Sequence, residues 1–126
     1  RLVGLVDITP TALAAAGITP GPEYALDGRS FLDPAAARTE ALLEYAEDPG
    51  FDYPAWASLR GPAWQYLEYY ADDGTTVDWA EYYDLAADPY QLTNVLADAD
   101  PANDPDTAAL SARLAQARRC AGTNCP

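Results

Sequence analysis

Two glutamates stand where chemistry could use them. Glu44 in "ALLEY" and Glu68 in "QYLEYY" each sit in an aromatic, β-prone run, and a pair of carboxylates flanking a bond is what glycoside hydrolysis requires. The sequence does not fix their separation, and solvated or hydrogen-bonded strand carboxylates fit the same pattern. Arg60, in "SLRGPAW", is a planar cation able to hold an anion or to close an ion pair with Glu44. Trp56, Trp64 and Trp79, together with the tyrosines, offer flat faces on which a sugar ring can stack. The same residue types at period two also make a sheet packed under a helix.

The remaining catalytic inventory is sparse. The chain has no histidine, so the commonest general base and the commonest transition-metal ligand are missing. Cys120 and Cys125, in "CAGTNC", can close a small disulfide loop, which implies an oxidising compartment; free thiols are the alternative. Zinc is disfavoured, because two thiolates without histidine leave a tetrahedral site half empty. The acidic "ADADPANDPD" is a solvated loop rather than a calcium site, since Pro101 interrupts the ligand run and the glycine and closing glutamate of an EF-hand are not in place. No catalytic residue and no metal ligand is assigned in this chain.

These residues need elements to position them. The chain has 126 residues, of which 49% are hydrophobic, enough for one compact core. Its eleven prolines and eight glycines cut it into short elements. The formal charge of −13 repels phosphates and anionic lipid, so neither nucleic acid nor a membrane is expected as a partner. "TALAAAGI" is far short of a membrane span, and no signal peptide is expected.

"LVDITPTALAAAG" predicts a helix over about 7–16, with Thr9 before Pro10, or alternatively Asp7, as N-cap and Gly17 at the position after the helix. Being apolar nearly all round, it is expected to be buried on more than one side. "ITPGPEYALDGRSF", with its Asp27-Gly28 turn, is an irregular connector. "EALLEYAE" and "AWASLR" read as strands, joined by the turn-rich "DPGFDYP".

The sharpest local signal is "AWQYLEYYADDGTTVDWAEYYDL", two β-prone arms joined across Asp73-Gly74 as a hairpin. Trp64, Tyr66 and Tyr70 share one face of its first arm and Leu67 with Tyr69 the other. In "EYYDLAADPYQLTN", Tyr82 to Leu85 end a strand and Asp88-Pro89 turns the chain. Leu92 is expected to pack under that turn, and Asn94 to take a positive φ or cap the turn with its side chain. A last helix begins at Asp104 and Pro105, presents Leu110, Leu114 and Ala117 as one stripe, and ends in Arg118 and Arg119. It is the natural cover for the sheet.

Taken in order, "VDITPTALAAAGI", "LDGRSF", "LLEY", "EYYDLAADPYQLTN" and "RLAQARRCAGTNC" resemble the C-terminal part of the sulfatase family over residues 3 to 125, nearest to the N-acetylglucosamine-6-sulfatase branch. The resemblance implies an α+β fold: a small antiparallel sheet of about four strands packed by a C-terminal helix. Residues 1–39 would be the end of an alkaline-phosphatase-like α/β catalytic domain, and 40–126 the C-terminal subdomain. It further implies an extracellular or periplasmic enzyme that cleaves sulfate esters with calcium and a formylglycine made in a C/S-x-P-x-R motif. That motif is not in this chain, which also has no lysine, so the implied role is structural or at the cleft rim, through Glu44, Arg60, Trp64 and Tyr66. The expected partners are an upstream catalytic domain of the same protein and a sulfated carbohydrate at the cleft edge. The chain's lack of methionine, with an opening inside an apolar element, agrees with the tail of a longer protein. The alternative reading is a stand-alone acidic carbohydrate-binding or protein-interaction module.

Overall fold

The structure, a computed structural model, describes residues 1–46, 50 and 52–126. Glu47, Asp48, Pro49 and Phe51 lie outside the described residues, and with them part of the "DPGFDYP" link.

Four antiparallel strands form one sheet in the order of the chain: β1 (Ala41–Tyr45), β2 (Trp56–Arg60), β3 (Trp64–Tyr70) and β4 (Val77–Asp84). The β3–β4 hairpin turns where the Asp-Gly dipeptide predicts. Gly74 takes φ +68°, and the Asp73 carboxylate accepts from the Thr75 and Thr76 amides at 2.8 and 2.7 Å. Helix α2 (Thr107–Ala117) covers one face of the sheet. Alternation in β3 turns Tyr66, Glu68 and Tyr70 inward, and these meet Ala57 and Leu59 of β2 and Leu114 and Ala117 of α2 in the core. Leu59 and Leu114 are fully buried, and Leu114 sits on the stripe read from the sequence.

Helix α2 begins later than Asp104. Its N-cap is Asp106, whose carboxylate accepts from the Ala109 amide at 2.9 Å. Of the two aspartates flanking Pro105, the one standing three residues before an unpaired amide supplies the cap. The helix ends at Ala117 with Arg118 as C-cap.

The segment before β1 carries a 3-10 turn (Leu5–Asp7) running into α1 (Ile8–Ala15), with Gly17 at φ +69° after its end. Asp7 holds the N-cap position and Thr9 lies inside the helix, but the Asp7 side chain makes no capping bond. The expected burial of α1 does not occur in this chain. Thr11 is its one buried residue among those described, and Val6, Ile8 and Ile18 are more than half exposed. A close approach fixes the connector: a Cβ on Gly28 would lie 1.9 Å from the Val6 carbonyl oxygen, so no other residue lets the two backbones meet there.

The stretch 81–94 is a loop held by its own acidic side chains. Asp84 accepts from the Ala86 amide at 3.0 Å, and Asp88 from the Leu92 and Thr93 amides at 2.6 and 2.8 Å. Asn94 accepts from the amides of Tyr82 (3.0 Å) and Leu96 (3.1 Å) and donates to the Ala80 carbonyl at 3.3 Å. It thereby occupies the free edge of β4, where unpaired backbone groups need partners. Its φ is −73°; among the described residues the non-glycine ones with positive φ are Gln91 and Ala99. Leu92 does not pack under the turn. It is 83% exposed, because Asp88 grips the loop by its backbone and leaves the side chain outside.

Candidate functional site

Strand register brings Glu44 and Glu68 onto one face. Glu44 lies opposite Ala57, and Ala57 opposite Glu68, so the two carboxylates flank a small residue two strand spacings apart, about 10 Å by backbone geometry. Both line a cavity of about 350 Å3 together with Tyr70, Ser111, Arg118 and Arg119.

Neither carboxylate is free for proton transfer. Glu68 is 3% exposed; one oxygen accepts from the Tyr66 hydroxyl at 2.9 Å and the other from the Tyr70 hydroxyl at 2.8 Å. Glu44 accepts from Arg118 Nε at 3.2 Å. The same guanidinium lies 4.2 Å from the centroid of the Tyr70 ring, a cation–π contact that positions it. Burial, reinforced by the Glu68 carboxylate, pushes the Tyr66 and Tyr70 hydroxyls above the ordinary phenol range. Glu68 with its two tyrosines is a satisfied polar core, which rigidifies a fold, while Glu44 is exposed and paired with Arg118; the geometry does not suit paired acid and base carboxylates.

Arg60 does not pair with Glu44. The register sets Arg60 opposite Ala41 and Gln65, and alternation places it on the face opposite Glu44. It donates to Gln65 Oε1 at 3.0 Å, and Gln65 Nε2 donates to Ser58 Oγ at 3.0 Å. The three tryptophans divide likewise. Trp64 belongs to the α2 face, stacked on Tyr82 at 6.5 Å and 12° with Arg113 6.0 Å from its centroid. Trp56 and Trp79 belong to the other face, so no platform contains all three. Tyr66 is a core residue.

A second charged centre escaped the sequence reading, which offered Asp7 only as an alternative cap and passed over Arg38. Arg38 grips Asp7 through Nη2 at 2.6 Å and Nε at 3.2 Å, and both side chains are buried. The Asp7 carboxylate also accepts from the Arg29 amide at 2.7 Å and the Gly4 amide at 2.9 Å. Arg38, with the two amides, holds its carboxyl well below the usual carboxylate range against the opposing effect of burial. Thr11 Oγ1 donates to the Asp7 carbonyl at 2.6 Å and accepts from the Phe31 amide at 3.1 Å. One hub thus closes the turn before α1, the connector and the approach to β1. The available signal was an aspartate among apolar residues, which buries only with a cation.

Cys120 and Cys125 are joined as a disulfide. The loop it closes meets the connector at two points: Arg29 donates to the Cys125 carbonyl at 2.6 Å, and the Gly122 amide to Asp27 at 2.6 Å. Among the described residues no group of three or more His, Cys, Asp or Glu could hold a metal ion, and no helix is long and apolar enough to cross a membrane.

No family model and no curated protein matches the chain. Solved structures do. BT4656, solved in complex with its substrate D-glucosamine-2-N,6-O-disulfate, superposes with a TM-score of 0.62 at 25% identity, covering 87% of this chain and 22% of that one. A protein of Bacteroides thetaiotaomicron VPI-5482 assigned as a sulfatase gives a TM-score of 0.57 at 23% identity, covering 85% and 22%. A third, BT33494S-sulf, from work on metabolism of multiple glycosaminoglycans by Bacteroides thetaiotaomicron, gives 0.53 at 22%, covering 71% and 21%. The chain spans about a fifth of the length of these structures. The resemblance to sulfatases seen in the motifs therefore extends to the fold, an α+β arrangement of four antiparallel strands and a covering helix.

Proposed function

We propose that this chain is the C-terminal segment of a sulfatase, a sulfuric ester hydrolase, in which it stabilises the molecule and contributes to the rim of the substrate cleft without supplying the reacting groups. The observation that carries the reading is a likeness in fold over 87% of this chain that takes up 22% of the matched one, with five motifs in the family's order. On this reading residues 1–39 end the catalytic domain and 40–126 form the subdomain. The exposed apolar side of α1 and the preceding turn, where Leu5 is 87% exposed, is the side an upstream catalytic domain would cover.

The residues of this chain do not fit the cofactors that the family implies. The cysteines are consumed in a disulfide, neither begins a C-x-P-x-R motif, and the described residues offer no calcium cage. Calcium and formylglycine belong, on this reading, to the upstream part of the parent. What this chain offers is support. Tyr66 and Glu68 fix the sheet from within, and Arg118 holds Glu44. Glu44, Arg60 and Trp64 retain accessible surface for the rim, where a sulfated carbohydrate would lie. The disulfide agrees with an extracellular or periplasmic enzyme, and the closing cysteine pair with the N-acetylglucosamine-6-sulfatase branch.

The test is sulfate release from an aryl sulfate and from glucosamine 6-sulfate, comparing the 126-residue chain with the longest protein encoded around it. Activity in the longer protein alone is expected. Activity in the short chain, or sulfate release by neither, would overturn the reading.

A further inference from the structure

The sheet face turned away from α2 carries aromatic side chains in register across all four strands. Tyr45 of β1 lies opposite Trp56 of β2, Trp56 opposite Tyr69 of β3, and Tyr69 opposite Trp79 of β4. Three inter-strand spacings make this row about 14 Å long. The Tyr45 and Trp56 rings lie 6.4 Å apart and within 18° of parallel. Tyr53 and Pro54 stand beside the row and close, with Tyr45, Trp56 and Tyr69, a cavity of about 450 Å3 with no charged residue among its described lining residues.

We propose that this row is a binding platform for neutral pyranose rings of a glycan. The C–H face of a pyranose packs on an aromatic face, and its hydroxyls need polar groups at the rim. Tyrosine and tryptophan supply both, a flat apolar body with a polar edge. The Tyr45 and Tyr53 hydroxyls make no hydrogen bond among the described residues, and Tyr53 and Trp79 are 67% and 53% exposed.

Charge selects the class of sugar. Glu81, on the same face, accepts from Trp79 Nε1 at 3.2 Å, the Tyr83 hydroxyl at 3.1 Å and the Tyr69 hydroxyl at 3.4 Å. It sets a negative charge beside the row. Arg60, the arginine of that face, lies two residue rows away, held by Gln65. A sulfated or carboxylated ring would meet repulsion there and no cation, while a neutral ring meets neither. The platform shares its face with Arg60 but lies on the side opposite Glu44 and Trp64, it differs in charge preference from a rim that receives sulfate, and it stands whether or not the parent is a sulfatase.

The test is a tryptophan-emission titration of the 126-residue chain with neutral cello-, malto-, manno- and chito-oligosaccharides, and with glucosamine 6-sulfate as the charged comparison. Native folding is verified by near-ultraviolet circular dichroism. A saturable shift with at least one neutral oligosaccharide and none with the sulfated sugar is expected. Tyr53→Ala and Trp79→Ala, in a loop and on an edge strand, should each weaken binding about tenfold, the loss of one stacking contact. Tyr90→Ala, at a still more exposed tyrosine off the sheet, should leave it unchanged. No shift with any neutral oligosaccharide on the folded chain, or equal affinity in the Tyr53 and Trp79 variants, would overturn the proposal. So would shielding of Trp56 and Trp79 from acrylamide in the longer protein, which would make this face a protein interface. Because the readout is binding, its failure leaves the sulfate-release result untouched.

Discussion

Replacing Asp7 by asparagine should loosen the chain from its N-terminal side. The carboxylate receives four donors, two from the Arg38 guanidinium and one each from the Gly4 and Arg29 amides, and neither charged side chain is more than 4% exposed. Asparagine can still accept from the backbone amides, but it turns an NH2 group or a neutral oxygen toward a guanidinium that stays charged and buried. Breaking one side of a buried pair costs about 3–5 kcal/mol, against a total of about 5–15 kcal/mol for a domain.

The loss should be felt first in the segment before β1, since few apolar contacts hold α1. We expect amide exchange at Gly4 and Arg29 to accelerate in D7N well before the strand amides of β2 and β3, and the urea midpoint to fall. The double variant D7N/R38M should recover part of the loss, because the unpaired cation is the main cost. Acid adds an independent check. The folded-state carboxyl is held below its unfolded value, so its contribution is fully present above about pH 4 and lost as pH falls through the folded value; that acid limb should be shallower in D7N. Unchanged exchange at Gly4 and Arg29 with an unchanged midpoint would refute the reasoning.

Glu68→Gln should lower stability by about 1–3 kcal/mol, since one tyrosine hydroxyl then faces an amide NH2 inside the core; a thermal midpoint equal to the parent's would contradict the satisfied network. Reducing the disulfide, or replacing both cysteines by serine, should cost about 2 kcal/mol from the loop-entropy relation for so short a loop, and proteolysis should then reach 25–30 first, where Asp27 and Arg29 lose their fixed partners. At high pH, burial followed by Glu81 pushes the Tyr83 hydroxyl up to about 12. The stability it contributes is present below the ordinary phenol value and lost as pH rises through about 12; absorbance at the tyrosinate band should show a late phase that coincides with alkaline unfolding, and a single early phase would count against the burial of these rings.

Local patterns were the legible part of the fold. Period-two aromatics and the Asp73-Gly74 turn located β3 and β4, the Leu110, Leu114, Ala117 stripe located α2, and Gly17 marked the end of α1. What eluded the sequence depends on register. Glu44 and Arg60 both lie in strands of fixed parity, yet only the pairing of Ala57 with Glu44 and of Arg60 with Ala41 reveals that they face apart. Glu68 could have been found, because it stands between Tyr66 and Tyr70 on one face of the hairpin's first arm. A carboxylate there must meet donors, and two phenols are the nearest. Asp7 was hidden for another reason. An aspartate before a helix reads as a cap, and no local rule says that a residue thirty-one positions away will claim its carboxylate.

That claim bears on the division of labour within the molecule. The segment before β1 is held by charged and polar contacts: Asp7 with Arg38 within the segment, and Arg29 with the Cys125 carbonyl and Asp27 with the Gly122 amide on the C-terminal loop. Its apolar residues Leu5, Val6, Ile8 and Ile18 are left outward. Hydrophobic burial is the larger and less directional force, so a segment fastened by directional contacts keeps its orientation while its apolar side stays free to meet another surface. The polar hub sets the angle at which that surface is offered. If, as proposed, an upstream domain covers that side, loosening Asp7 should weaken its docking more than it weakens the sheet, and a longer protein carrying D7N should lose interdomain contact before its small sheet unfolds.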